Sequence, residues 1–293
     1  MCVDELYIDI FDTISDLKNK DVTNMNNNKL REIWDRRAAI HASMKEHRKS
    51  DKFEELYNKS WWYYIEPLLP KIEGSKILEA GCGTGRWVDY LAPMGYQMVL
   101  SDLSPEMIRH AREHVEELGL SERVSYEVLD ICDMNTLPTN NFDLVLSAGE
   151  PLTQCSNPNI AVSEFYRVTK TGGYVICDAS NRYRAAFDLV QKNDLSQFMK
   201  VLEIGELLYP NGLVKHLLGP KELADLFEAK GMKVLCIAGI TPFYSFPPNK
   251  KLISSLKDDY VFDAMMQISE RYAEHPSIVN LSARLLVVAQ KLK

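Results

Sequence analysis

Glu79-Ala80-Gly81-Cys82-Gly83-Thr84-Gly85 closes a short apolar run, Lys76–Glu79, and opens a helical pattern that starts near Arg86. Three glycines alternating with other residues suit a tight strand-to-helix turn whose backbone touches a ligand. A dinucleotide loop of the form Gly-x-Gly-x-x-Gly would need glycine at position 86, where this chain has Arg86. Glu79 argues the same way, because a carboxylate beside a phosphate cradle would repel the anion that such a cradle binds. The loop suits a cationic ligand instead.

Outward from the loop, Gln97–Leu100, Val124–Leu129, Phe142–Ser147 and Tyr174–Cys177 read as further strands, separated by helices near Arg86–Ala92, Pro105–Leu118 and Asn159–Thr169. Strand and helix in alternation predict an α/β fold with a doubly wound, mostly parallel sheet. Lys233–Ile240, preceded by Gly231, and Arg284–Lys291 add two later strands. Upstream, residues 1–70 hold no convincing strand and read as an N-terminal helical cap. Its parts are an amphipathic helix with a stripe of Val3, Leu6, Ile10, Ile14 and Leu17, a polar linker from Asp21 to Lys29, a helix from about Leu30 to His47, and another through Trp61–Ile65. Residues 71–293 form the core. Within it, residues 182–220 and 241–282 are too long for ordinary connections and read as helical lids. Tyr183, Phe187, Phe198 and Tyr209 lie in the first, and Phe243, Tyr244 and Phe246 in the second.

The loop resembles the first motif of the class I S-adenosylmethionine-dependent methyltransferases, Asp/Glu-x-Gly-x-Gly-x-Gly, and matches it throughout. The resemblance covers residues 74–180 and implies a Rossmann-like, seven-stranded methyltransferase fold that binds S-adenosylmethionine and its product S-adenosylhomocysteine. It implies that Gly81, Cys82, Gly83 and Gly85 underlie the methionine part of the cofactor and that Glu79 supports its amino end. Asp102, 21 residues after Gly81, matches the family's acid for the ribose hydroxyls, and a carboxylate at a second strand end is suited to accept both. Leu103 and Met107 would flank the adenine, and Asp130, followed by Ile131, would accept from its amino group, with Cys132 or Asp133 sharing the role. Ala148, in Ser147-Ala148-Gly149-Glu150-Pro151, would lie beneath the sulfonium. Lys170-Thr171-Gly172-Gly173 resembles the family's Lys-Pro-Gly-Gly turn before the fifth strand, with Thr171 in place of proline.

Transfer from a sulfonium is an in-line displacement, so alignment matters most and a base serves only where the acceptor must lose a proton. Glu150 and His216 are the candidate catalytic residues, with Tyr7 and His41 of the cap as further candidate bases. His216 precedes the helix start Pro220-Lys221-Glu222, which suggests the pocket rim. A metal-assisted, catechol-type reaction would draw on Glu150, Asp178 and Asn181 as oxygen ligands, but Glu150 departs from the Asp expected there, and no metal site is expected. No Asn/Asp-Pro-Pro-aromatic motif of amide-nitrogen methylases follows the fourth strand.

Composition narrows the acceptor. Thirty-four Lys and Arg against forty-one Asp and Glu leave a net charge of −7, which disfavours broad nucleic-acid binding. Six cysteines without a Cys-x-x-Cys pair give neither a zinc site nor a disulfide framework, and no apolar run is long enough to span a membrane, so a cytoplasmic location is expected. The expectation is a small-molecule methyltransferase acting on oxygen or nitrogen. An RNA or protein methylase, and a protein that binds the cofactor without turnover, are the alternatives. Oligomeric state is not legible.

Overall fold

The computed structural model describes residues 27–43, 51–72, 74–209, 212–241 and 254–292. The expected first helix with Tyr7, and the aromatics Phe243, Tyr244 and Phe246, lie outside the described residues. The chain begins with α1 (Asn27–Ser43) and α2 (Lys52–Ile65), then enters β1 (Lys76–Ala80), α3 (Val88–Leu91), β2 (Gln97–Asp102), α4 (Pro105–Glu117), β3 (Val124–Val128) and β4 (Phe142–Ser147). It continues through α5 (Pro151–Gln154), α6 (Pro158–Val168), β5 (Thr169–Ser180), α7 (Arg182–Gln191), α8 (Leu195–Ile204), β6 (Glu206–Leu208) and β7 (Val214–His216). α9 (Pro220–Glu228), β8 (Met232–Ile240), α10 (Asp259–Tyr272), α11 (Pro276–Leu281) and β9 (Arg284–Lys291) complete the fold.

Seven strands form one sheet in the order β3-β2-β1-β4-β5-β9-β8. β1 to β5 pair in parallel, and β9 runs against both of its neighbours. β1 and β4 are buried on both faces, which is why they read as continuous apolar runs rather than alternating ones. The strand order reverses between β1 and β4, and in open α/β sheets that point opens a crevice beyond the carboxyl ends of the strands. β6 and β7 make a separate antiparallel hairpin inside the first insertion. Three-residue strands are too short to give a sequence period, so this hairpin was hidden among helical signals.

Among the boundaries that differ from the sequence reading is the linker expected over Asp21–Lys29, whose last residues, Asn27–Lys29, already belong to α1. The helix expected over Arg86–Ala92 is only Val88–Leu91, because the amides of Arg86 and Trp87 are given to the Glu79 side chain. The turn expected at Lys170–Gly173 lies inside β5, where a register shift opposite Phe142–Leu144 absorbs it. Gly172 there has φ +82°, and a Cβ on Gly173 would lie 2.8 Å from the carbonyl of Asp143.

Helices α1 and α2 pack on the sheet domain from outside. Ser104 caps α4 through Met107 N at 3.1 Å and donates its hydroxyl to Asp35 of α1, so α1 is docked above the end of β2. α2 buries Leu56, Tyr57, Trp61, Tyr64 and Ile65. Trp61 meets Trp87 at 5.8 Å between ring centroids and both are fully buried, so the Trp61–Trp62 pair belongs to the core rather than to a lid. The second insertion packs on α2 as well: Leu256, Phe262 and Met266 close over Leu56. Trp87→Ala would leave a large void between α2 and the sheet and should cost roughly 3–5 kcal/mol. Urea unfolding of that variant checks the packing, and a loss below about 1 kcal/mol would be incompatible with it.

Candidate functional site

Above the carboxyl ends of β1 to β4 lies a cavity of about 740 Å³. Its wall includes Glu79, Gly81, Cys82, Gly83 and Gly85 from the glycine loop, Asp102, Leu103 and Met107 after β2, Asp130 and Ile131 after β3, and Ala148 after β4, all expected to touch a cofactor, but neither Cys132 nor Asp133, expected to share the role of Asp130. Residues far apart in sequence meet there because parallel strands end on one edge.

The loop is a hydrogen-bonded unit. Gly81 N and Cys82 N donate to Ser101 O at 2.8 and 2.9 Å, joining the loop to the end of β2. Gly81 has φ +74°, and a Cβ at that position would run into the ring of Pro151. Only glycine therefore lets the loop pass this close to the β4 turn. Gly83 N donates to Asp102 Oδ2 at 2.9 Å, and Ser104 N donates to Oδ1 at 2.9 Å. Glu79 accepts from Arg86 N at 3.2 Å and Trp87 N at 3.3 Å and is buried. Burial pushes its carboxyl up to about 8, and burial likewise raises Asp102 to about 6. These acids face a cavity in a state that a cation would relieve.

After β4, on the same cavity wall, Glu150 stands at a left-handed backbone position, φ +70°, before α5. Asp178 Oδ1 fixes that backbone by accepting from Glu150 N at 2.7 Å. The Glu150 carboxylate accepts from Ser180 Oγ, pairs with Lys215 Nζ at 2.7 Å and lies 3.6 Å from Arg284 Nε. Burial alone would raise its pKa, but Lys215 and Arg284 hold it down at about 2. A carboxylate so placed is a weak proton acceptor, so its geometry is that of an anchor rather than the expected base. Arg284 also lies 3.6 Å from Asp178 and donates to Tyr57 Oη at 3.1 Å, while Tyr57 donates to Asp178 at 3.3 Å.

His216 does not line the cavity; its neighbour Lys215 does. Successive residues of β7 point to opposite faces, so only one of the pair can face inward. Of the other candidate base positions, His41 lies on the cavity wall and Tyr7 is outside the described residues. Cys132 donates its backbone amide to Asp130 Oδ1 at 2.9 Å rather than lining the cavity. Asn181, weighed as an oxygen ligand, directs its amide to the carbonyls of Val279, Asn280 and Ser282 at 2.8–3.1 Å. Its oxygen caps α7 through Tyr183 N at 3.0 Å, and Asn181 is not on the cavity wall.

Sequence reasoning missed the cations. Arg37, Arg86, Lys215 and Arg284 all line the cavity, with Arg86 paired to Glu54 at 2.9 Å and bonded to Asn58 at 2.7 Å. They come from α1, the glycine loop's exit, the hairpin and β9, and no local motif joins them. The first insertion contributes Tyr209, Leu213, Val214 and Lys215, while the second contributes only Thr241 among its described residues.

Comparisons with known proteins agree with this arrangement. Residues 77–173 match the family model described as a methyltransferase domain. The chain is 31% identical over 155 residues to a ubiquinone biosynthesis O-methyltransferase of Xanthomonas oryzae pv. oryzae, an alignment that covers 47% of this chain and 63% of that protein. A chain of the complex between the Haloferax volcanii Trm112 methyltransferase activator and a methyltransferase has a TM-score of 0.56 at 19% identity, covering 89% of this chain and 98% of that one. A methyltransferase of Methanosarcina mazei gives 0.55 at 21% identity, covering 78% and 97%. Both structures share the fold.

Glu79 gives the site a pH signature. A carboxyl raised in the folded state favours folding fully below its unfolded pKa and loses that contribution as pH rises through the folded value. The melting temperature of the ligand-free protein should therefore fall between pH 6 and pH 8, above the range of Asp102 and on the climb to that of Glu79. Glu79→Gln should flatten that fall. Parallel pH–melting curves for the two proteins would refute the assignment.

Proposed function

We propose that this protein, whose residues 77–173 match the family model of a methyltransferase domain, transfers a methyl group from S-adenosylmethionine to a small-molecule acceptor bearing a hydroxyl or amino group. The observation that carries the reading is the convergence of Glu79, the Gly81–Gly85 loop, Asp102 and Asp130 on one cavity that the Ala148–Glu150 turn also lines. The buried acid at Glu79 fits a cofactor with a cationic amino end, and Asp102 at the rim of the loop fits a diol. Bound there, the cofactor supplies an electrophilic methyl on a positively charged sulfur.

The chain's residues supply position and exclude water. Glu79 and Gly83 would hold the amino-acid end of the cofactor and Asp102 its ribose, Leu103, Met107 and Ile131 would enclose its base, and Asp130 would accept from the base's amino group. Glu150 anchors Lys215 and hence the hairpin, which narrows the space around the transferred group. Where the acceptor must lose a proton, we assign its removal to His41, the one histidine on the described cavity wall. The name of the Xanthomonas relative supports oxygen as the acceptor atom. The chain's overall acidity supports a compact molecule rather than a phosphate polymer.

Asp102→Ala should weaken S-adenosylhomocysteine binding by roughly 1–3 kcal/mol, the loss of hydrogen bonds to a charged group. Calorimetry showing unchanged affinity would remove Asp102 from the ribose site. His41→Ala should lower transfer by about a hundredfold or more while cofactor affinity holds. With methyl-labelled cofactor and fractionated cell extract, label should enter small molecules. Label confined to RNA or protein would replace this reading with the polymer one, and cofactor binding without transfer to any fraction would favour a binding protein.

A further inference from the structure

Helix α1 turns Trp34, Arg37 and His41 toward the cavity at helical spacing. Three of the four basic side chains that sequence reasoning missed have their anions: Arg86 has Glu54, Lys215 has Glu150, and Arg284 lies between Glu150 and Asp178. Arg37 differs from them. Among the described residues no carboxylate lies within 4.0 Å of its guanidinium, which sits 5.3 Å over the ring of Trp34 and faces Tyr209. Partial burial disfavours its charged form, so this group has given up water without gaining an anion.

We propose that Arg37 receives an anionic group, a carboxylate or phosphate, carried by the methyl acceptor; this rests on the methyltransferase reading above. Guanidinium is suited to planar, bidentate recognition of either group. Its position favours the acceptor over the cofactor. The methionine end of the cofactor is assigned to the Glu79 side of the cavity, where Arg86 is the neighbouring cation. Arg37 faces the hairpin, whose strand β7 reaches Glu150 through Lys215. Trp34 and Tyr209 give the receptor flat apolar walls, which suit an acceptor with an aromatic or similarly planar body. The acceptor would then be a small acid, held by its anion at α1 and presenting its nucleophile toward the Ala148–Glu150 turn.

The test uses the S-adenosylhomocysteine-loaded protein and calorimetric titration with benzoate, phenyl phosphate and the neutral benzamide. One anion should bind at least about tenfold more tightly than benzamide, and Arg37→Gln should remove the preference while Arg37→Lys keeps part of it. S-adenosylhomocysteine affinity should stay within about twofold in both variants, a change too small to count as a lost contact. Circular dichroism of each variant establishes that α1 is intact, and an anion preference absent from a folded Arg37→Gln protein supports the assignment. Equal binding of charged and neutral probes, no binding of either anion at millimolar concentration, or a preference that survives Arg37→Gln would overturn it. A loss of S-adenosylhomocysteine affinity in Arg37→Gln would move the cofactor's own carboxylate onto Arg37 and overturn it too. If the wild-type protein fails to bind S-adenosylhomocysteine at all, the methyltransferase reading falls and takes this one with it; binding without anion preference defeats this one alone.

Discussion

The Glu79 carboxylate, buried at the end of β1, accepts the amides of Arg86 and Trp87 and so folds the glycine loop back on the strand that precedes it. Much of the upper surface of the sheet depends on that closure. It sets where α3 starts, places Trp87 against Trp61 and thereby seats α2 on the core. It also holds Gly83 within reach of Asp102, so the edges of β1 and β2 move as one body. A buried acid would ordinarily be a liability, since removing a carboxylate from water is costly. Here the amides offset part of that cost and the remainder becomes selectivity for a positively charged ligand.

The cavity wall carries charges of both signs: Glu79, Asp102, Asp130 and Glu150 share it with Arg37, Arg86, Lys215 and Arg284, bases drawn from four separate elements. Glu150 keeps two of those bases, Lys215 and Arg284, from repelling one another, and Asp178 supports it from below through the backbone of Gly149–Glu150. The strained backbone at Glu150 is tolerated because Asp178, Ser180 and Lys215 all hold the residue in place.

How much of this was legible follows from the range of each interaction. The glycine loop, Asp102 and Asp130 could be read because each lies at a strand end and the strands announce themselves as local apolar runs. The β4 turn was found for the same reason, but the partners of Glu150 were not, since they are Lys215 and Arg284, 65 and 134 positions away in sequence. His216 was placed at the rim by the helix start that follows it, yet strand alternation in a three-residue β7 turns its neighbour Lys215 to the cavity instead. Arg37 was invisible for a different reason. A helix whose cavity-facing residues are Leu30, Trp34, Arg37 and His41 has no clean hydrophobic face, so sequence alone does not say which side is turned inward. Of the aromatics expected in the first lid, Tyr209 reaches the cavity, whereas Tyr183 and Phe187 are exposed on α7.

The Lys215–Glu150 pair also bears on time. It ties the hairpin of the first insertion to the sheet, and both side chains are largely shielded from water. Lifting the hairpin from the sheet requires the two charges to part before either is fully hydrated. Each additional 1.4 kcal/mol in that barrier slows the opening about tenfold. Raised ionic strength should affect it little, because the shielding that strengthens the pair also keeps mobile ions away.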